Sequence, residues 1–172
     1  MTDAPVWLDD QEQRAWRAYL VASQRIDAAL DRQLQRDAGM PHAYYGILTV
    51  LVEAGVDGLR MSELARALRY SPSRLAHAVA SLERSGWVER HECPTDRRGQ
   101  IATVTPSGAR AQRRAAPGHV ATVRELVFDH LDDDQVRQFE QICSAIAGRA
   151  ASLDGGDGDA GPQLASGPSP NS

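Results

Sequence analysis

Apolar residues recur at helical spacing through most of the chain. Between about Asp9 and Asp37, Trp16, Tyr19, Leu20, Ile26, Leu30 and Leu34 fall on one stripe, interrupted once at Ser23, which predicts a long amphipathic helix. Gly39 ends it and Pro41 stands where a second helix starts, in which Tyr45, Leu48, Leu51 and Val52 repeat with the same period as far as Gly55. Ser62 is the expected N-cap of a short helix with Glu63 in its first turn and an apolar face of Leu64, Ala65 and Leu68. After a break at Arg69-Tyr70, Ser71-Pro72 combines an N-cap with proline at the first helical position and opens another helix. There Leu75, Val79 and Leu82 share one face and Gly86 closes the end. Ser73, His77 and Arg84 then point away from the core, with Arg74 and Ser81 at the edge of that outer side.

The pattern then changes period. Trp87–His91 and Ile101–Thr105 are β-prone runs joined by a polar stretch that includes Cys93-Pro94 and Arg97-Arg98-Gly99, which predicts a hairpin with a long basic tip. Thr105-Pro106 repeats the cap-plus-proline signal and starts a helix expected to reach about His130, with a kink at Pro117-Gly118. A last helix begins near Asp132, where Asp132-Asp133-Asp134 suit the helix dipole. It carries Val136, Phe139, Ile142, Cys143 and Ile146 on one stripe that calls for a partner. From Asp154 onward the chain is Gly, Asp, Pro and Ser with almost no apolar content and is expected to be disordered.

Charge sharpens this picture. The formal net charge is −4, which taken as an average speaks against a polyanionic partner. From Arg60 to Arg98, however, eight arginines face five carboxylates, so the segment holding the capped helix and the hairpin is basic in an otherwise acidic chain. All 19 basic residues are Arg, for which biased codon use is a sufficient reason. A length of 172 residues suits one domain with appendages. The two cysteines, Cys93 and Cys143, lack any paired-ligand spacing and read as reduced thiols. Cys93 would be activated only if the wing exposes it among cations. His77, His91 and Cys93 do not make a set of three ligands with defined geometry, so no metal or other cofactor is expected. No apolar run spans a bilayer, and the N-terminal residues are acidic where a signal peptide would be basic, so a cytoplasmic protein without membrane association is expected.

A helix, a second helix, a short helix, a tight turn, a capped helix and a basic hairpin, in that order, are the parts of a winged helix-turn-helix. Such a fold is mainly α, with about six helices and a two-stranded β-wing. Side chains near the N-terminus of the capped helix reach base edges in a major groove, and a hairpin arginine reaches the adjacent minor groove. The DNA-contacting candidates are Ser71, Ser73, Arg74, His77, Arg84, Arg97 and Arg98. No Gly-rich phosphate loop, nucleophile elbow or paired carboxylates suggest an enzyme. A winged-helix module that docks proteins without DNA is the alternative, because fold alone does not fix function.

Met61-Ser62-Glu63-Leu64-Ala65, then Leu82-Glu83-Arg84-Ser85-Gly86-Trp87-Val88-Glu89-Arg90, then Asp96-Arg97-Arg98-Gly99 resemble the MarR family of bacterial regulators from roughly Glu12 to Ala151. The resemblance implies a winged-helix domain over 9–153, with 41–105 as the DNA-binding lobe, 9–38 and 106–153 as dimerisation helices, and 154–172 as a tail. It implies a homodimer on a pseudo-palindromic operator, a repressor by family default, located on the nucleoid. One wing arginine, Arg97 or Arg98, would enter the minor groove while Asp96 and Gly99 shape the wing. Many relatives are released from DNA by small aromatic or phenolic ligands, and Trp16, Tyr19, His42, Tyr44 and Tyr45 are candidates to line such a pocket. Aromatic core packing at helical spacing explains the same residues.

Overall fold

The structure is a computed structural model that describes residues 6–93 and 96–153, with backbone alone at 96–98. The expected tail from Asp154 lies outside the described residues. Within them the elements are α1 (Asp10–Ala38), α2 (His42–Ala54), β1 (Leu59–Arg60), α3 (Met61–Leu68), α4 (Pro72–Arg84), β2 (Val88–Cys93), β3 (Asp96–Val104), α5 (Pro106–Leu126) and α6 (Asp133–Leu153). The fold is mainly helical, as expected.

Local chemistry sets most boundaries. Asp9 accepts from the Glu12 N–H at 2.8 Å while Glu12 accepts from the Asp9 N–H at 2.8 Å, a reciprocal cap that starts α1. Gly39, at φ 63°, ends α1 with its N–H on the Gln35 carbonyl. Asp132 and Gln135 form the same reciprocal cap for α6. At α3 the frame differs from the expected one. Glu63 reaches back to the Arg60 N–H at 3.0 Å, so Arg60 is the N-cap and Ser62 lies inside the first turn. A carboxylate fixed at the third helical position determines the start more strongly than a serine hydroxyl two residues too late.

α5 is capped by Thr105, which accepts from the Gly108 N–H at 3.1 Å, and it runs unbroken through Pro117. Pro117 is exposed, as is Arg113, whose carbonyl it leaves without its helical partner. Beside it, a Cβ on Gly118 would stand 2.7 Å from Gln33 Nε2, so the Pro-Gly pair marks where α5 crosses α1 closely. The helix ends at Leu126, short of the expected His130, because Val127 leaves helical geometry at φ −123°. A single 3-10 turn, Phe128–His130, follows.

The strands form one antiparallel sheet in the order β1-β3-β2. β2 pairs with β3 from Val88↔Val104 to Glu92↔Gln100, and the register slips between Glu92 and Cys93 before Cys93↔Asp96. The hairpin therefore extends beyond the two runs legible in the sequence. β1 adds a third strand, pairing Leu59↔Ala102 and Arg60↔Ile101. Two residues are too few to display alternation, which is why β1 left no pattern to read.

The core lies among α2, α3, α4, the root of the sheet and the facing ends of α1 and α5. Leu34, Met40, Ile47, Leu48, Leu51, Leu64, Leu75, Val79, Leu82 and Val88 are fully buried there. α1 contributes only its C-terminal third to burial, through Leu30, Gln33 and Leu34, and α6 buries no residue at all. Among the described residues, no helix is long and apolar enough to cross a membrane.

Candidate nucleic-acid interface

The turn between α3 and α4 is tight for identifiable reasons. Arg69 adopts a left-handed conformation at φ 55°, and the Tyr70 N–H closes back on the Ala65 carbonyl at 2.9 Å. A non-glycine residue in that region costs about 1 kcal/mol or more, so the packed helices on either side must hold it there. Ser71 then accepts from the Arg74 N–H at 3.2 Å, and Pro72 supplies a preset φ at the first helical position. With Leu75, Ala78, Val79 and Leu82 buried, Ser73, Arg74, His77 and Arg84 are all exposed on the outer side of α4.

Two of these cations are held in place. The Arg74 guanidinium carbon lies 4.2 Å over the Tyr70 ring, a cation–π stack. Arg84 donates from Nη2 to Ser81 Oγ at 2.7 Å. Tyr70 is a residue that sequence reasoning passed over; its position four residues before Arg74 was the available signal.

The junction after α4 is stitched to α5. The Gly86 carbonyl accepts from Thr105 Oγ1 at 2.7 Å and from Ser107 Oγ at 2.6 Å, and the Thr105 N–H donates to the Trp87 carbonyl at 3.0 Å. A Cβ at position 108 would fall 2.1 Å from the Trp87 carbonyl oxygen, so only glycine permits this approach. Glu83, in the last turn of α4, meets Arg90 of β2: Oε2 lies 2.5 Å from Nη2 and 2.9 Å from Nε. That hydrogen bond pushes the Arg90 guanidinium above its already high ordinary value.

The strands of the wing run on to Cys93 and from Asp96, so Arg97 and Arg98 fall within β3 rather than in the long tip expected from sequence, and the side chains of Asp96, Arg97 and Arg98 lie outside the described residues. Cys93 is only 4% exposed, contrary to the exposed position considered from sequence. The register slip beside it reverses which face a side chain takes, and a thiol turned inward lacks the access that activation requires. Among the described residues, no three His, Cys, Asp or Glu side chains stand together in a metal-binding arrangement.

The aromatic candidates divide into two groups. Trp16 and Tyr19 stack on each other at 5.6 Å and are exposed on α1, with Trp7 and Leu8 nearby. His42 and Tyr45 instead meet His119 of α5, with ring centroids 5.5 and 4.5 Å from it. Tyr44, at the start of α2, packs half-buried against the core. Asp31 of α1 accepts from the His42 N–H at 2.9 Å and so tethers the first turn of α2. Burial pushes the Tyr45 phenol up, against opposing hydrogen bonds from Thr49 and Gln112. Burial, and then the charge of His42, hold His119 below its ordinary value, and its Nδ1 is enclosed without a hydrogen-bond partner. His119 was not among the residues singled out from sequence.

A capped helix with an uncovered polar and basic side, a tight turn before it and a hairpin beside it define a winged helix-turn-helix protein. A sequence profile of the MarR family matches residues 38–99. The crystal structure of Sco3205, a MarR family transcriptional regulator from Streptomyces coelicolor solved in complex with DNA, is 50% identical, with 85% of this chain and 91% of that one covered and a TM-score of 0.81. AbsC, another MarR family regulator from the same organism, is 36% identical over 86% of this chain and 99% of its own, also with a TM-score of 0.81. The HTH-type transcriptional regulator PrsX of Escherichia coli is 27% identical over 104 residues, 60% of this chain and 62% of that protein. The match thus spans about three-fifths of the length of this curated relative. The chain belongs to the MarR family.

Proposed function

We propose that the protein is a transcriptional regulator, acting as a repressor, that binds a pseudo-palindromic duplex operator as a homodimer. In this reading residues 41–105 form the DNA-binding lobe, and 9–38 with 106–153 hold two lobes together. α4 enters the major groove with Ser71, Ser73, Arg74, His77 and Arg84 toward the duplex. Arg97 or Arg98 occupies the flanking minor groove, on a wing shaped by Asp96 and Gly99. The observation that carries the reading is the outer side of α4, where Ser73, Arg74, His77 and Arg84 are exposed and Arg74 stacks on Tyr70. The relative at 50% identity was crystallised on DNA, which supports the same partner here. Its setting is the bacterial cytoplasm, on the nucleoid. Release by a small aromatic or phenolic effector belongs to the same reading, with His42 and Tyr45 beside His119 as its seat; Trp16 and Tyr19 stand apart from that group.

Duplex fragments selected from genomic DNA by the purified protein provide the test. Affinity should fall steeply and linearly in log–log form as salt rises, because phosphate contacts release counterions. Arg97→Ala or Arg98→Ala should cost about 1–3 kcal/mol of operator affinity, the larger loss marking the minor-groove arginine. A protein indifferent to duplex at low salt would overturn the reading in favour of a protein-docking module, and wild-type affinity in both variants would remove the wing's part in it.

A further inference from the structure

The wing leaves the body of the protein at a definite point. β1 pairs with β3 only at Ala102 and Ile101, so from Gln100 toward the tip β3 has β2 as its one strand neighbour. A two-stranded ribbon is marginal in water and takes its direction from whatever holds its root. At that take-off point stands Arg90. It is bound at 2.5 and 2.9 Å to Glu83, in the last turn of α4, and donates from Nη1 to Gln100 Oε1 at 3.4 Å on the facing strand. One guanidinium therefore ties the end of α4, β2 and β3 together. Val88 and Arg90 share the inward face of β2, while Glu89 and His91 approach each other separately on the outward face, at 3.7 Å. Glu83 and Arg90 are 28% and 27% exposed, so neither is needed to fill the core and replacing either leaves no buried cavity.

We propose that the Glu83–Arg90–Gln100 bracket sets the angle between α4 and the wing, making Glu83 and Arg90 positioning residues for simultaneous engagement of adjacent major and minor grooves. This rests on the DNA-binding reading and names residues that reading does not use. The physical basis is geometric: a planar guanidinium with several fixed donors defines a direction as well as a contact, which a lysine or a turn alone does not. A wing free to swing would still meet phosphates, but it would lose the fixed offset that selects an operator over arbitrary duplex.

Glu83→Met and Arg90→Met test this, since simple electrostatics and positioning predict opposite outcomes for the first of them. Removing an acidic charge near DNA strengthens binding to every duplex, and removing a basic charge weakens it. If the bracket positions the wing, both variants instead lose operator selectivity, with the ratio of operator to non-specific affinity falling about tenfold, the size of one groove contact. Guanine N7 protection in the major groove should persist in both, while hydroxyl-radical protection of the flanking minor groove fades. The charge-swapped double variant, Glu83→Arg with Arg90→Glu, should restore part of both. Unchanged selectivity and minor-groove protection in the two Met variants would overturn the proposal, as would parallel loss of protection in both grooves. If Arg90→Met fails to fold, Glu83→Met decides alone. A wild-type protein that protects neither groove would remove the DNA reading itself, and the bracket's role with it.

Discussion

α4 and α6 carry apolar stripes of similar regularity and meet opposite fates. The 13 residues of α4 bury Leu75, Ala78, Val79 and Leu82 in the core of their own lobe. The 21 residues of α6 bury nothing, and Phe139, Ile142 and Ile146 are 44%, 59% and 54% exposed. The first half of α1 behaves like α6, exposing Trp16, Tyr19, Leu20 and Val21. A helix is held by packing of its apolar side far more than by its intrinsic propensity, so α4 finds its support within the chain, while α6 and the first half of α1 leave apolar surface uncovered. Under the homodimer reading the same region of a second copy covers that surface, and an exposed stripe becomes the means of assembly.

The sharpest way to break this contrast is to charge the open stripe. Ile142→Glu combined with Ile146→Glu would bury four carboxylates in a dimer, and dimerisation should weaken by about 100-fold or more because such charges lose their hydration without gaining partners. Sedimentation should then report a monomer that retains helical signal from the lobe, and operator affinity should collapse with the loss of the second half-site. A variant that sediments as a dimer would mean that α6 is not the holding surface. The complementary change, Leu82→Ala, removes a fully buried side chain from the closed core. It should cost about 2–5 kcal/mol of stability in urea unfolding while the mass below the transition stays dimeric. Equal effects of the two changes on assembly would erase the distinction between the regions.

How much of this was legible in sequence follows the same division. Ser71-Pro72 and Thr105-Pro106 mark helix starts through bonds spanning three residues, so the HTH turn, the outward side of α4 and the start of α5 could be read directly. The cap of α3 was misplaced by two residues, since Ser62 looked like a cap while Glu63 in fact reaches Arg60. What required the fold was whatever joins distant segments. Glu83 and Arg90 are seven positions apart, but α4 ends at Arg84 and β2 starts at Val88, so no single period relates them, and their ion pair exists because the turn brings β2 back against α4. The aromatic residues proposed to form one pocket share a sequence neighbourhood only in part. At about 1.5 Å per residue, Trp16 lies roughly 16 Å along α1 from Asp27, the residue that approaches His42. His119 joins Tyr45 only because α5 crosses beside α2, a fact of packing that no local pattern encodes.

That crossing yields the smallest predicted effect and the one that probes the seam between the two regions. His119 belongs to α5, a terminal helix, while Tyr45 and His42 belong to α2 of the lobe, with Asp27 of α1 4.0 Å from His42 Nδ1. Burial and the charge of His42 hold the folded-state value of His119 below that of the unfolded chain, so the fold favours the neutral ring. Above pH of about 6.5 the ring is neutral in both states and its full contribution is present. As pH falls from there toward the folded-state value, the unfolded chain takes up the proton first and stability drains away. Thermal melting between pH 7.5 and 5.5 should therefore show a larger loss of midpoint in wild type than in His119→Phe, which has no proton to take up. His42→Gln, by removing the neighbouring charge, should narrow the difference. An equal pH dependence in wild type and His119→Phe would mean that the ring titrates as if in solution, and that the seam between lobe and terminal helices does not enclose it.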